Sequence, residues 1–404
     1  MVLSLIRSER FLILAILVGL ATFFVEHSLI EAGRTVALIG AAVLVGAIIL
    51  ASMRVAHHAE VLAAKVGDPY GTMILTLSAV LVEVIILAIL MSTAGSSPTL
   101  VRDTIYSAVM LDINGILGLA ALLGGLKHGE QPYNDDSSRT YCVMILTAMG
   151  ISMIVPEFVP RENWHYYSAF TIVAMITLYT VFLRMQVGPH SYFFSYSYPK
   201  TRRVAPAGKP GAAVPAAASA SVSAGAAVGS SAAAAPAQAV VPAPSEAHEE
   251  AEDEPASRSI AVLIAGVVII GGLAELLSGL MDAGLEGSGA PPILAAIVVA
   301  AISASPEIMT ALRAALANRM QSVVNIALGA SLSTVILTVP VMEGIALYTG
   351  QPFIMAMSPV QTVMITITLI AAAINLNDGE TNAIEGMTHF VLFATFIMLS
   401  LLGL

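Results

Sequence analysis

Two glutamates, Glu83 and Glu307, each stand within a long run of apolar residues. If both runs are membrane-spanning helices, Glu83 lies about 12 residues, or about 18 Å, from one end and Glu307 about 16 residues from the opposite side. A lone carboxylate near the middle of a bilayer costs several kcal/mol unless it is protonated or paired, and such residues are usually functional. No Lys or Arg lies in the interior of either run. We therefore interpret them as ion-binding groups, the alternative being protonated structural glutamates.

Two carboxylates match the needs of a hard divalent cation, because Ca²⁺ takes six to eight oxygen ligands. Without the cation, two adjacent carboxylates in a medium of low dielectric repel each other and bind protons. Competition between Ca²⁺ and H⁺ for Glu83 and Glu307 is the chemistry that this pattern predicts. The expected metal ligands are thus Glu83 and Glu307, with Ca²⁺ and H⁺ as transported ions and no resident cofactor.

Further polar residues flank the two glutamates in their own and neighbouring runs. Glu60 and Glu275 are interpreted as relay groups near the cytoplasmic ends of their regions, or as interfacial charges that reach water. Asp112 could join the site or make a structural contact, whereas Glu343, near the outer end of its run, is expected to be exposed. Small hydroxyl residues could supply further oxygen ligands: Ser78, Ser303, Ser305 and Ser331.

The apolar runs that contain these residues indicate the class of protein. The chain of 404 residues is 57% hydrophobic and only 11% charged, far more apolar than one or two soluble cores require. Windows of about 20 apolar residues recur along it, and this is the length that crosses a hydrocarbon core of about 30 Å. The sequence therefore predicts an all-α polytopic membrane protein with eleven transmembrane helices, which cover residues 11–30, 35–53, 70–91, 103–126, 140–158, 165–186, 259–281, 291–313, 322–348, 357–376 and 385–403.

One long polar segment divides the runs into two groups. We divide the chain into an N-terminal end with an extra first helix (1–34), a five-helix repeat (35–186), a linker (187–257) and a second five-helix repeat (258–404). Because five is odd, the second repeat must cross the membrane with opposite polarity, as in many secondary transporters. The linker is rich in Ala and Pro and ends in an acidic cluster from Glu246 to Glu254, so it is predicted to be disordered.

The distribution of basic residues predicts the orientation. With the N-terminus in the cytoplasm, only Arg34, Arg102 and Arg161 of the 17 Lys and Arg residues fall outside. The positive-inside rule thus places the N-terminus and the linker in the cytoplasm and the C-terminus outside, in a cell or inner membrane. The expected partners are the lipid bilayer, inorganic cations and protons, and no nucleic acid; the sequence does not indicate an oligomeric state.

The residues around the two glutamates resemble a known family. The segment Gly67–Thr72 leading to Glu83, and Ser305–Glu307 leading through Asn318 to Ala327–Leu332, are similar to the two α-repeats of the cation/proton exchanger (CAX) branch of the Ca²⁺/cation antiporter superfamily, and most nearly to its bacterial ChaA-type members. The resemblance covers nearly all of the chain except the linker. It implies an extra first helix, two inverted five-helix repeats and Ca²⁺/H⁺ exchange. It also assigns the paired central glutamates to Glu83 and Glu307.

The sequence departs from the family pattern close to these glutamates. The usual Gly-Asn pairs are replaced by Val80-Leu81 in the first repeat and by Ser303–Pro306 in the second, and Asp112 stands where the family has Asn. ChaA-type exchangers are also associated with Na⁺/H⁺ and K⁺/H⁺ exchange.

We therefore expect an antiporter, not an enzyme, that exchanges cytoplasmic Ca²⁺ for external protons by alternating access. Na⁺/H⁺ or K⁺/H⁺ antiport is the second interpretation. A cation channel would also bury acidic residues, although inverted halves with one central Glu each favour alternating access. Because no zinc motif and no pair of nucleophile and base is visible, a membrane-embedded hydrolase is the least favoured class.

Overall fold

A computed structural model describes residues 8–66, 70–92, 97–187, 255–351 and 353–404, without the side chains of 70–73 and 75. The described part is almost entirely helical. The predicted linker and its acidic cluster lie outside the described residues, apart from positions 187 and 255–257, which are helical or adjoin a helix.

The helices before the linker are interrupted by short π-helical and 3₁₀ turns. In chain order they are α1 (Arg10–Glu31), α2 (Arg34–Val66), α3 (Tyr70–Ser92), α4 (Leu100–Met110), the π-helical segment π1 (Leu111–Leu117), α5 (Gly118–His128), α6 (Asp135–Met149), π2 (Gly150–Ile154), the 3₁₀ turns Val155–Phe158 and Arg161–Asn163, and α7 (Trp164–Val187).

The helices after the linker follow a similar sequence of long and interrupted elements. They are α8 (Ala256–Leu285), α9 (Ile293–Ser303), α10 (Ser305–Leu316), α11 (Met320–Ser333), π3 (Thr334–Thr338), α12 (Val339–Thr349), α13 (Pro359–Asn375) and α14 (Ala383–Leu401). Two short strands, β1 (Gln131–Pro132) and β2 (Glu380–Thr381), pair antiparallel and join the ends of α5 and α14.

The structure confirms an all-α polytopic membrane protein. In the described residues, eight helical elements are long and apolar enough to cross a bilayer, or nine if α9 and α10 form one span, and two further apolar helices are shorter. The number of eleven spans and the division into two repeats therefore remain predictions. Both α4–π1–α5 and α11–π3–α12 hold a π-helical segment near their centre, and these two elements are the most enclosed of the candidate spans.

One predicted span has a different shape from the one expected. Residues 291–313 are not one helix, because α9 and α10 meet at Ala304 with a bend of 56°. Pro306 explains the break: its ring removes a backbone donor and clashes with the preceding turn, so it is tolerated at the start of a helix but not inside one.

Polar contacts group the helix ends at two faces. At one face the Arg34 guanidinium donates to the carbonyl of Glu286 at 2.9 Å, and at the other Lys127 Nζ donates to the carbonyl of Leu316 at 3.0 Å. These pairs join ends that the sequence places on the same side of the membrane. Which face is cytoplasmic remains the prediction from basic residues.

A charged cluster ties α1, α2 and α8 together at the face opposite Arg34. Glu9, only 6% exposed, accepts hydrogen bonds from Arg54 Nε at 2.8 Å and from Arg54 Nη2 at 2.9 Å. Arg258 Nη2 also donates to it at 3.0 Å, and His58 Nε2 lies 3.3 Å away. Because α1, α2 and α8 also pack closely on one another, they form one sub-bundle beside the central helices.

Candidate cation-binding site

Glu83 lies in the interior of the bundle on α3. Its side chain is 3% exposed, and its Oε2 accepts a hydrogen bond from Thr334 Oγ at 2.9 Å. The other oxygen, Oε1, is buried and has no hydrogen-bond partner. Thr338, one turn beyond Thr334, also faces this carboxyl group, but its hydroxyl is outside ordinary hydrogen-bond geometry. One carboxylate oxygen is therefore held in place and the other is available to a ligand.

Asp112 is brought to the same region by the π-helical segment π1. A π-helical turn inserts an extra residue, widens the helix and is often found at functional sites. Asp112 is 2% exposed, and its Oδ2 accepts a hydrogen bond from Ser331 Oγ at 3.1 Å. Ser331 and Thr334 belong to the continuous element α11–π3. A single element of the second half thus contacts acidic groups on two helices of the first half.

Glu307 lies at the break between α9 and α10. It is in the first turn of α10, where free backbone N–H groups and the helix dipole stabilise a carboxylate. Its side chain is half-buried, yet its Oε2 is enclosed and has no hydrogen-bond partner. The structure therefore puts Glu307 at the discontinuity of a broken helix, a feature that lines ion sites in many secondary transporters.

The charges of Glu83, Asp112 and Glu307 are close enough to act on one another. Across the described ranges, no basic side chain forms an ion pair with any of them. In the same ranges, no three acidic, imidazole or thiol groups are close enough together to hold a metal ion between them. The three carboxylates therefore form an open acidic group and not a closed cage.

The other predicted site residues differ in their burial and in their hydrogen bonds. Glu60, on α2, is half-buried and its charge acts on Glu307. The hydroxyls of Ser78 and Ser303 donate to carbonyls of their own helices at 2.7 and 3.0 Å, and the Ser305 hydroxyl donates to the Ile302 carbonyl of the preceding helix at 2.8 Å. Since a hydroxyl oxygen keeps lone pairs after donating, these serines can still offer oxygen to a cation.

Two acidic residues lie in places that differ from the expected ones. Glu275 is exposed and is nearer to the Leu285 end of α8 than to the Ala256 end, so it is directed toward the face of Arg34 and not toward that of Glu60. The prediction that Glu275 lies at the same face as Glu60 is therefore wrong, because α8 runs antiparallel to α2 and residue 275 is near its far end. Glu343 was expected to be exposed but is 2% exposed, because α12 packs on α7 at this position.

Other polar residues at the centre lie outside the set of predicted site residues. Thr338 is one, and its position on a π-helical turn beside Thr334 has no simple sequence signal. Another group is built on Asn114 of π1, which donates to Thr368 Oγ at 2.8 Å and accepts from His389 Nδ1 at 2.9 Å. These contacts hold π1 against α13 and α14, and thereby fix the segment that presents Asp112.

Comparison with known proteins agrees with this architecture. A profile of the family described as sodium/calcium exchanger protein matches residues 36–188 and 258–402. The chain is 29% identical over 386 residues to a protein called y4hA from Sinorhizobium fredii, covering 94% of this chain and 92% of that protein. It is also 29% identical over 357 residues to the sodium-potassium/proton antiporter ChaA of Escherichia coli, covering 87% and 86%.

Two solved structures share the fold at low sequence identity. Native YfkE superposes with a TM-score of 0.66 and 17% identity over 93% of this chain and 99% of that chain. The H⁺/Ca²⁺ exchanger CAX gives a TM-score of 0.63 and 13% identity over 97% and 88%. Since the family profile matches both halves of the chain and omits the linker, the chain belongs to the sodium/calcium exchanger family, within the cation/proton exchanger branch of the Ca²⁺/cation antiporter superfamily.

Proposed function

We propose that this cation antiporter exchanges cytoplasmic Ca²⁺ for external protons by alternating access, with Glu83 and Glu307 binding Ca²⁺ or H⁺ in competition. The observation that supports it best is the grouping of Glu83, Asp112 and Glu307 from three separate elements without a basic counter-ion among the described residues. When ionised, such a group has an excess of negative charge, which a divalent cation or protons must neutralise.

The oxygen atoms around the group suit a hard cation. Glu83 Oε1 and Glu307 Oε2 are buried without partners, and the hydroxyls of Ser303, Ser305 and Ser78 are nearby on α9, α10 and α3. The break between α9 and α10 lies directly before Glu307, and broken helices of this kind supply backbone carbonyl ligands to cations in many secondary transporters. Six to eight oxygen ligands for Ca²⁺ can therefore come from carboxylates, hydroxyls, carbonyls and water.

Exchange follows from the electrostatics of the empty group. If the cation leaves, the ionised carboxylates repel one another in a medium of low dielectric, and proton binding removes this repulsion. The cation-loaded and protonated forms are each nearly neutral and can reorient, whereas the empty charged form is too costly to do so. Ca²⁺ and H⁺ would therefore cross in opposite directions.

The exposure of the four acidic side chains fits a site open to one side. Glu83 and Asp112 are buried, whereas Glu307 and Glu60 are only half-buried. Because the charge of Glu60 acts on Glu307, we propose that ions reach the site past Glu60, from the face opposite Arg34.

A second candidate function is antiport of Na⁺ or K⁺ for protons on the same fold. The E. coli relative at 29% identity is a sodium-potassium/proton antiporter, and this observation favours a monovalent substrate. The open group of carboxylates could also bind a monovalent ion together with a proton. The cost of burying the group depends on its total charge, and one Na⁺ or K⁺ with one proton neutralises as much charge as one Ca²⁺.

Uptake into everted membrane vesicles that carry a proton gradient tests both candidates. Ca²⁺, Na⁺ and K⁺ are added separately to vesicles with wild-type protein, Glu83→Gln or Glu307→Gln, with the exposed Glu162→Gln as matched control. If Ca²⁺ dissipates the gradient in the wild type and the control but in neither central variant, the proposal holds. If only Na⁺ or K⁺ does so, the second candidate replaces it. Cation flux without counterflow or proton coupling would instead indicate a channel.

A further inference from the structure

His389 is a buried imidazole on the last helix, outside the acidic group. It lies on α14, it is 3% exposed, and its Nδ1 lies 2.9 Å from Asn114 Oδ1 on π1. Its Nε2 is enclosed and has no hydrogen-bond partner among the described residues. Burying a polar atom without a partner is costly, so apolar packing alone does not account for an imidazole here. The contact with Asn114 is what distinguishes this ring from an apolar side chain.

The hydrogen bonds of Asn114 determine which ring nitrogen carries the hydrogen. Asn114 Nδ2 donates to Thr368 Oγ at 2.8 Å, and the Thr368 hydroxyl donates to Met110 Sδ at 3.5 Å. The amide oxygen of Asn114 therefore faces His389 and can only accept, which places the hydrogen of the ring on Nδ1. A chain of buried hydrogen bonds thus runs from α14 through π1 to α13 and the end of α4.

The segment π1 presents Asp112 to a different neighbour. Side chains two positions apart on a helix do not face each other. Accordingly, Asn114 contacts α13 and α14, whereas Asp112 Oδ2 accepts from Ser331 Oγ of α11 at 3.1 Å. A Cβ atom at Gly118, directly after π1, would meet the Phe390 backbone nitrogen at 2.9 Å, so α14 lies directly against the end of the segment. The rotation that α13 and α14 impose on π1 therefore decides where Asp112 points.

The π-helical form of π1 makes this rotation depend on its neighbours. π-helical turns are rare, and contacts from outside the helix have to hold them in place. Return to an ordinary α-helix removes the extra residue of the turn and rotates side chains on one side of it by about 100°, the step between successive residues of an α-helix. Such a rotation would move the Asp112 carboxylate away from Glu83 and Glu307, on whose charges it now acts.

We propose that His389 is a positioning residue for the cation site, which holds the rotation of π1 by donating to Asn114 and thereby favours divalent over monovalent cations. His389 does not touch the ion; it acts through Asp112, whose charge attracts Ca²⁺ twice as strongly as Na⁺ at the same distance. Its role differs from that of Ser331, which orients one oxygen of Asp112 and whose loss leaves π1 in place. The inference rests on the proposed cation site.

Competition between Ca²⁺ and Na⁺ in liposomes tests the inference, with exchange of ⁴⁵Ca²⁺ and ²²Na⁺ measured at equal pH on the two sides. This comparison of affinities requires no net proton movement. His389→Leu removes the donor, whereas the amide nitrogen in His389→Asn takes the place of Nδ1. Thr388→Ala is the matched control on the same helix, because the exposed Thr388 hydroxyl donates to the Ile384 carbonyl at 3.0 Å.

For His389→Leu we expect the ratio of Ca²⁺ to Na⁺ affinity to fall by about threefold or more, as for loss of a buried hydrogen bond between neutral groups, while the maximal exchange rate stays within about twofold of wild type. His389→Asn and Thr388→Ala should keep the wild-type ratio. Thr368→Val breaks the next hydrogen bond of the chain and should lower the ratio in the same direction, so the test does not depend on the folding of one variant. An unchanged ratio in both His389→Leu and Thr368→Val, or a change in maximal rate alone, would overturn the inference.

The double variant Asp112→Asn/His389→Leu tests the path through Asp112. If His389 acts through the Asp112 charge, the double variant has the same ratio as Asp112→Asn alone. Effects that multiply would show that His389 acts independently of Asp112, and the inferred path would be wrong. Absence of exchange of both cations in the wild type would remove the proposed function and this inference with it, whereas exchange without proton flux would remove only the proposed antiport.

Discussion

Thr334, in the second half of the chain, donates its hydroxyl hydrogen to Glu83 of the first half at 2.9 Å. Thr334 is the first residue of π3, and the wider π-helical turn places it and Thr338 toward the same carboxyl group. One turn earlier on the same element, Ser331 donates to Asp112, which π1 of the first half presents. Each half thus supplies a π-helical segment, and the acidic groups are oriented by contacts between halves.

The Thr334 hydroxyl should therefore contribute to cation affinity. In Thr334→Ala the Glu83 carboxyl group loses the hydrogen bond that holds its Oε2, and loss of a hydrogen bond to a buried charged group costs about 1.5–3 kcal/mol. We expect the cation concentration for half-maximal transport to rise by about tenfold, since about 1.4 kcal/mol corresponds to that factor. Thr334→Ser should remain near wild type.

Thr366→Ala is the control for this substitution, because the Thr366 hydroxyl is exposed and donates to Thr362 of its own helix at 2.6 Å. The measurement is the concentration dependence of uptake into liposomes. If Thr334→Ala and Thr366→Ala have the same half-maximal concentration, the contact has no role in cation binding.

Asp112 should affect the choice between divalent and monovalent cations. It adds a negative charge whose Coulomb attraction is twice as large for Ca²⁺ as for Na⁺ at the same distance. Asp112→Asn keeps the size of the side chain and removes the charge. We expect the ratio of Ca²⁺ to Na⁺ affinity to fall by about tenfold.

Competition between the two ions for transport measures this ratio, with Ser331→Ala as a second variant. Ser331→Ala removes the hydrogen bond to Asp112 Oδ2 but leaves the charge, so the ratio should change little even if transport slows. A ratio that is the same in Asp112→Asn and wild type would show that the charge does not act on the ion.

Much of the fold followed from the sequence because apolar length is a direct physical requirement for crossing a bilayer. Apart from residues 291–313, which form two helices, each expected span overlaps one helical element of the described residues, although the number of eleven crossings remains a prediction. Lone acids such as Glu83 were noticeable because so few charges occur among the apolar residues. The structure brings Glu83, Asp112 and Glu307 close enough for their charges to act on one another, and the roles predicted for these residues remain predictions.

Other features depend on contacts between helices that are distant in the sequence, so the sequence alone does not predict them. Whether Glu343 is exposed depends on α7, which is far from it in the sequence. The π-helical segments arise from packing and from hydrogen bonds such as that between Asn114 and Thr368, and not from a local residue pattern. The bend at Ala304 did have a local signal in Pro306, but the apolar run continued through it.

Gly386 should be essential for packing α14 on α5. A Cβ atom there would clash with the backbone nitrogen of Leu122 and meet the carbonyl carbon of Ala121 at 2.7 Å. Backbone atoms cannot move aside as a flexible side chain can, so Gly386→Ala must push the helices apart. We expect it to destabilise the protein by about 1–3 kcal/mol, the usual cost of overpacking.

Thermal unfolding in detergent, followed by size-exclusion chromatography, measures this effect. Gly46→Ala is the matched control, because Gly46 is exposed on α2 and nothing lies within 4 Å of a Cβ there. Since Ala is favoured over Gly by about 1 kcal/mol in a helix, the control should be unchanged or slightly more stable. A Gly386→Ala variant as stable as the control would contradict the close approach of α14 and α5.

The Glu9 cluster should make the stability of the folded protein depend on pH in the acidic range. Burial alone would raise the pKa of Glu9, but the hydrogen bonds and charge of Arg54, with His58 and Arg258, outweigh it and hold the pKa at about 2, below the ordinary 4.5. A carboxylate with a lowered pKa stabilises the folded state at pH above its unfolded pKa. This stabilisation is lost as the pH falls from about 4.5 toward about 2.

Glu9→Gln removes the charge and therefore isolates this contribution. At pH 5 we expect the variant to be less stable by about 1–3 kcal/mol, a moderate value because the cluster lies near the end of the bundle and is partly reached by solvent. As the pH falls from 5 to 3, the wild type should lose part of its advantage, so the difference between the two melting temperatures narrows. A difference that is constant over this range would mean that Glu9 titrates alike in the folded and unfolded chains, and that Arg54 and Arg258 do not hold its charge.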